Sequence, residues 1–172
     1  MKLDIGCGLK CKNGFIGVDR EKFKGVQYVL NLDKIKRLPF KNNSINEIWC
    51  EHLIEHLDNP MGWIKEFNRI LEVGGKLTLI VPYAHNPESY IPIHKTFWNI
   101  KSNILFDGTY HENNAKWNKV NLFYEWFPWK EPLFKNILKR IAEYIFKRNP
   151  SFYERYFSVI CPFAHIGWVL IK

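Results

Sequence analysis

Leu3-Asp4-Ile5-Gly6-Cys7-Gly8 runs almost directly into Gly14-Phe15-Ile16-Gly17-Val18-Asp19. A short apolar strand ends in glycines one residue apart, and a second apolar strand ends in an acid. Glycine carries no Cβ, so backbone at Gly6 and Gly8 can come close to a ligand. An acid at the tip of the neighbouring strand can accept hydrogen bonds from both hydroxyls of a ribose. In an open α/β sheet, ligands bind at the carboxyl ends of the strands, where the strand order reverses. These residues predict a nucleoside-binding pocket built on the first two strands.

Outward from this stretch, strands alternate with helices. Val26 to Leu30 reads as a third strand. Ile45 to Trp49 reads as a fourth, apolar enough to be buried on both faces. Glu51 to Leu57 forms a short helix or turn at its carboxyl end. Asp58-Asn59-Pro60 fits a cap with proline at the first helical position. The helix that follows carries Trp63, Ile64, Phe67, Ile70 and Leu71 on one stripe, and Gly74-Gly75 is expected to end it. Lys76 to Val81 is a fifth strand. Tyr83 to Asp107 reads as a long functional loop with a little helix, and Trp117 to Phe127 as a sixth strand. Pro132 to Lys147 is an amphipathic helix with Leu133, Phe134, Ile137, Leu138, Ile141 and Ile145 on one face. Ile166 to Ile171 closes the chain as a last strand. Such alternation implies a largely parallel sheet with helices on its faces.

The bulk composition bounds the class. A chain of 172 residues with 47% hydrophobic and 16% aromatic content can bury a core as one domain. No apolar run approaches the roughly 20 residues of a spanning helix, and no signal peptide is read at the N-terminus, so a cytoplasmic location is expected. Cys7, Cys11, Cys50 and Cys161 lack paired CxxC spacing, and free thiols are expected. A zinc site from Cys7, Cys11, Cys50 and His52 is the alternative; no metal is the expectation. The net charge of +8 favours anionic partners such as nucleic acid, anionic lipid or a phosphorylated sugar, or is simply a lysine-rich surface.

Taken together, the motifs resemble class I S-adenosylmethionine-dependent methyltransferases of the group called type 11. Leu3 to Gly8 is similar to the glycine motif and Gly17-Val18-Asp19 to the ribose-binding strand. Leu32-Asp33 with Leu38-Pro39-Phe40 is similar to the adenine-side loop. Glu51-His52-Leu53-Ile54-Glu55-His56-Leu57 resembles the segment after strand four, and Arg69 to Leu77 the hairpin into strand five. The likeness spans about residues 1 to 85; Pro92-x-His94-x-x-Phe97 is similar to short methyltransferases associated with cell-surface glycans. Three departures stand out: Lys10 follows Leu9 where a third glycine is usual, the first crossover is too short for a full helix, and Asn46 replaces an acid.

The resemblance implies a Rossmann-like α/β methyltransferase sheet, mostly parallel with an antiparallel last strand and helices on both faces. It implies one domain over 1–172, with a cofactor-binding half (1–82) and an acceptor lid, amphipathic helix and closing strands (83–172). It implies S-adenosyl-L-methionine as cofactor, held by Asp4, Gly6, Cys7, Gly8, Asp19, Arg20, Leu32, Asp33 and Glu51. Asp4 and the loop backbone would hold the amino acid end, Asp19 the ribose, and Leu32 with Asp33 the adenine; Asp4 and Asp33 read equally as turn caps. Candidate bases are His52, His85 and His94, since imidazole titrates near neutral pH. Tyr83 could orient the acceptor. His56 reads as structural, and His111 and His165 carry no motif.

Three functions remain open at this stage: methyl transfer to a small-molecule or glycan-type acceptor, an RNA methyltransferase, and a non-catalytic cofactor-binding paralogue. The helix over 132–148 is expected to contact an anionic membrane surface, a second copy in a homodimer, or the core.

Overall fold

The computed structural model describes residues 1–107, 115–126 and 133–172. The expected strand end at Phe127, the helix start at Pro132, and His111 lie outside the described residues. The strands are β1 (Lys2–Ile5), β2 (Ile16–Asp19), β3 (Val26–Val29), β4 (Ile45–Glu51), β5 (Leu71–Pro82), β6 (Lys119–Glu125) and β7 (His165–Ile171). They form one sheet in the order β3-β2-β1-β4-β5-β7-β6. The pairs among β1 to β5 are parallel, while β7 runs antiparallel to both β5 and β6. The expected mostly parallel sheet with an antiparallel last strand is therefore present.

This order reverses at β1. The chain winds outward through β2 and β3, then returns to lay β4 on the other side of β1. The carboxyl ends of β1 and β4 therefore diverge into loops on opposite sides, and a crevice opens between them. Gly6 and His52 stand on its two walls. The centre of the sheet is dry: Leu3, Ile5, Ile48, Cys50, Leu77 and Leu79 are all buried.

Helix α1 (Pro60–Ile70) spans the β4-to-β5 connection. Asn59 caps it by accepting from the Gly62 N–H at 2.9 Å, and Pro60 sits in the first turn. Trp63, Ile64, Phe67 and Ile70 bury one stripe, as their spacing requires. Its end differs from expectation. Gly74-Gly75 do not terminate it, because Leu71 is already extended and paired with Ile45. The orphan carbonyls of the last turn are satisfied from elsewhere: Asn43 N–H donates to Arg69 O, Ser44 N–H to Ile70 O, and the Lys172 ammonium to Asn68 O. Gly74, at φ +82°, instead turns the start of β5 so that its N–H meets Lys172 O.

Helix α2 (Leu133–Arg148) is present, but its buried stripe is rotated from the expected one. Ile137 and Ile141 are exposed, while Ala142 and Phe146 are buried and Leu138 and Ile145 half-buried. The cause is an aromatic cluster. Phe146 packs edge-on against Tyr124, Tyr153 and Phe163, with ring centroids 4.6 to 5.7 Å apart. These large contacts outweigh the two isoleucines and fix the helix rotation. No helix among the described residues is long and apolar enough to cross a membrane.

Candidate functional site

Two adjoining hollows open at the carboxyl end of the sheet and share Gly6. The larger, about 620 Å³, is lined by Gly6, Gly8, Asp19, Arg20, Leu32 and Asp33, with His52, Leu53 and His56 opposite. The smaller, about 300 Å³, is lined by Asp4, Cys7, Lys10, Lys12, Trp49 and Glu51 besides Gly6. The residues read as cofactor-binding from sequence thus divide between the two. Asp4, Cys7 and Glu51 face the smaller hollow, and the others face the larger.

Backbone geometry at the shared point explains the glycine. Gly6 has φ +79°, its N–H donates to Val18 O at 2.8 Å, and a Cβ on it would come within 2.8 Å of the Leu53 side chain. Only glycine fits this left-handed, crowded position. Gly17 is equally confined, since a Cβ there would meet Gly25 O at 2.5 Å. The Gly8 N–H donates to Asp19 Oδ2 at 2.9 Å, and Glu21 N–H to Asp19 Oδ1 at 3.0 Å. Asp4 accepts from the Lys12 N–H at 2.7 Å. Burial raises its carboxyl above the usual range, although that N–H pulls the other way. Lys12 extends its ammonium over the Trp49 ring at 3.7 Å. Asp33 accepts from the Asp58 N–H at 3.1 Å, and Lys95 bridges Asp33 and Asp58.

The far wall follows β4. His52 adopts φ +50°, rare for a residue with a Cβ, and lines the larger hollow. Its Nδ1 lies 3.4 Å from Glu55 Oε1, and its ring meets that of His165 edge-on at 4.6 Å. The Glu55 carboxylate raises the His52 imidazole, against the opposite pull of burial. The turn Ile54–His56 then holds the segment after β5. Lys95 N–H donates to Glu55 O at 2.8 Å, and His56 Nδ1 lies 3.2 Å from Ile93 O. Pro92, Ile93 and Lys95 are thereby drawn over the larger hollow.

Of the candidate bases, His52 alone lines this space. His94 lies behind it, its ring 4.7 Å from that of His56. His85 lines a separate hollow with Asn99, Lys101 and Glu154, and its Nε2 is 3.2 Å from Glu154 Oε1. Tyr83 is fully buried and donates to Glu154 Oε2 at 2.6 Å, which makes it core rather than acceptor-facing. Leu53, Pro92, Ile93 and Lys95, not singled out as site residues from the sequence, and His56, read as structural, all line the larger hollow. Their signals in the sequence were the Glu51–Leu57 segment for Leu53 and His56, and the long functional loop with its Pro92-x-His94-x-x-Phe97 motif for the rest.

Residues 3–79 match a family model described as a methyltransferase domain. The chain has the fold of a class I S-adenosylmethionine-dependent methyltransferase. A SAM dependent methyltransferase from Archaeoglobus fulgidus superposes with a TM-score of 0.60 at 15% identity, covering 99% of this chain and 85% of that one. Phosphoethanolamine N-methyltransferase 2 of Haemonchus contortus, in complex with S-adenosyl-L-methionine, gives 0.55 at 17% identity, covering 99% and 48%. The [4+2]-cyclase SpnF gives 0.56 at 12% identity, covering 99% and 73%, so one fold carries more than one chemistry. No curated protein matches the sequence significantly.

On this methyltransferase fold the departures noted in the sequence have structural counterparts. The short link between β1 and β2 carries no helix, and Asp19, rather than a third glycine, orders it through the Gly8 N–H. Asn46 accepts from the N-terminal amine and donates to Glu72, away from both hollows. Cys50 is fully buried among apolar side chains, whereas Cys7 and Cys11 lie beside Asp4.

Proposed function

We propose that the chain transfers a methyl group from S-adenosylmethionine to an oxygen or nitrogen of a small-molecule or glycan-type acceptor. The observation that carries this reading is the junction at Gly6. The smaller hollow presents both signs of charge, Asp4 and Glu51 with Lys10 and Lys12, as a zwitterionic amino acid end requires. The larger presents Asp19 and Asp33 beside apolar Leu32, as a ribose and adenine require. Gly6 lines both hollows, so the two meet at its backbone. The residues present therefore fit the cofactor.

S-adenosylmethionine supplies a methyl group already activated on a sulfonium. What remains for the protein is alignment and proton removal. Asp19 binds the ribose, and Asp4 with Glu51 favours the ammonium. His52, whose Nδ1 lies 3.4 Å from Glu55 Oε1, takes the acceptor's proton. Pro92, Ile93 and Lys95 exclude water above the larger hollow.

Calorimetry with S-adenosylhomocysteine tests the cofactor half. Saturable one-to-one binding is expected, and no binding at millimolar ligand would refute it. A panel of amino, hydroxyl and glycan acceptors with methyl-labelled cofactor then tests transfer.

A further inference from the structure

Glu55 is a buried acid that the proposed fold chemistry only half explains. It is 1% exposed, and neither carboxylate oxygen accepts a hydrogen bond of good geometry. Buried carboxylates are ordinarily paired, protonated or bound to metal. The nearest nitrogens are His52 Nδ1 at 3.4 Å and His56 Nε2 at 4.0 Å.

The two histidines beside it are arranged as metal ligands are. His56 has its Nδ1 on Ile93 O at 3.2 Å, and His94 has its Nδ1 on Ser89 O at 3.0 Å. A carbonyl only accepts, so each Nδ1 is the protonated donor, and in the neutral imidazole each Nε2 keeps its lone pair. Imidazoles that bind metals are characteristically fixed in this way by a carbonyl on the other nitrogen. One ligand atom from each of Glu55, His56 and His94 lies within 4.8 Å of the others. Ligands of a tetrahedral ion sit about 3.4 Å apart, given metal–ligand distances of about 2.1 Å. Small side-chain rotations close that gap.

We propose that Glu55, His56 and His94 form a binding site for a first-row divalent cation of the zinc or cobalt class. Two imidazoles and one carboxylate select such borderline ions over calcium or magnesium and leave a coordination position open. His52, against the Glu55 carboxylate, orients it from outside the site. Because His56 also lines the larger hollow, the site adjoins the space that holds Asp19 and Pro92. There an ion would acidify a bound acceptor hydroxyl; that role rests on the methyl-transfer reading, whereas the ion's presence does not.

The full chain, stripped with chelator and dialysed, is titrated with zinc by calorimetry and with cobalt by visible absorption. One ion per chain is expected, with an imidazole-type cobalt spectrum and no thiolate charge-transfer band. His94→Asn and His56→Asn, each checked by circular dichroism for retained fold, are expected to weaken zinc by at least tenfold. Cys7→Ser and Cys11→Ser are expected to leave it unchanged. Since Asp4, Cys7 and Cys11 are themselves close enough to share an ion, loss of binding in the cysteine variants, with a thiolate band, would overturn the proposal. Unaltered affinity in either folded histidine variant, or no saturable binding, would overturn it as well.

Discussion

The backbone N–H of Gly8 donates to Oδ2 of Asp19 at 2.9 Å, which couples the glycine loop of β1 to the acid at the tip of β2. The acid is therefore both a candidate ligand group and the post that orders its own neighbouring loop. Asp19→Ala removes two hydrogen bonds to a charged acceptor, each worth about 1.5–3 kcal/mol. Affinity for S-adenosylhomocysteine is expected to fall by about tenfold or more. Asp19→Asn keeps an acceptor for one N–H, so it is expected to recover thermal stability but not affinity. Calorimetry and thermal melts on both variants check this, and equal affinity across the set would refute the ribose role.

Gly6→Ala acts through packing as well as backbone. The added Cβ meets Leu53 at 2.8 Å and must hold φ +79°. A left-handed alanine costs about 1–3 kcal/mol before any clash is counted. A lower melting temperature and loss of cofactor binding are expected. Leu53→Gly in the same chain removes the clashing Cβ but not the strain, so the double variant is expected to lose less than the sum of the two single losses. Additive losses in a thermal-melt cycle would show that the two side chains do not meet.

What could be read from the sequence and what could not follows from range. The tips of β1 and β2 were legible because glycine and acid act on their immediate neighbours. The end of α1 was not, because its caps come from Asn43, Ser44 and Lys172, remote in the chain. Rotation of α2 was illegible for the same reason: Tyr124 and Phe163, not the helix's own spacing, choose Phe146 over Ile137. The residues read at strand ends line the two hollows, while Lys95 and Ile93 arrive only through Glu55 O and His56. Nothing in the local sequence around Glu55 announces that it is buried.

At the opposite end of the sheet, Glu47 lies between Lys2 and Lys76 on the flanking strands, with contacts of 2.8 and 2.6 Å. Burial alone would raise its carboxyl, but the two ammonium groups outweigh it and hold it below the usual range. A carboxyl depressed in the folded state contributes stability that is present above its unfolded pKa. That contribution is lost as pH falls through the lower folded value. The lysines are about half exposed, so screening keeps the pair effect near about 1 kcal/mol. Lys2→Met/Lys76→Met is therefore expected to be less stable than the parent at neutral pH and equal to it in strong acid. Urea melts across that range measure the difference, and a pH-independent gap would refute the ionic account.

Cys7 stands in a negative surround between β1 and β2. Burial first, then the charges of Asp4, Cys11 and Asp19, push its thiol up to about 12. The thiolate is the reactive form, and a free cysteine titrates near about 8.5, so alkylation at mildly basic pH should be slowed about a thousandfold or more. Cys50, fully buried, is also raised well above its ordinary value and is expected to be protected. Timed labelling with iodoacetamide and mass spectrometry distinguishes the sites, with the unfolded chain as reference. Cys7→Ser removes a thiol that is almost wholly neutral, so it should leave cofactor affinity within about threefold. Labelling of Cys7 as fast as in the unfolded chain would mean that the loop does not hold Asp4 and Asp19 around it. The electrostatic preference of this end of the crevice for a cationic ligand would then fall with it.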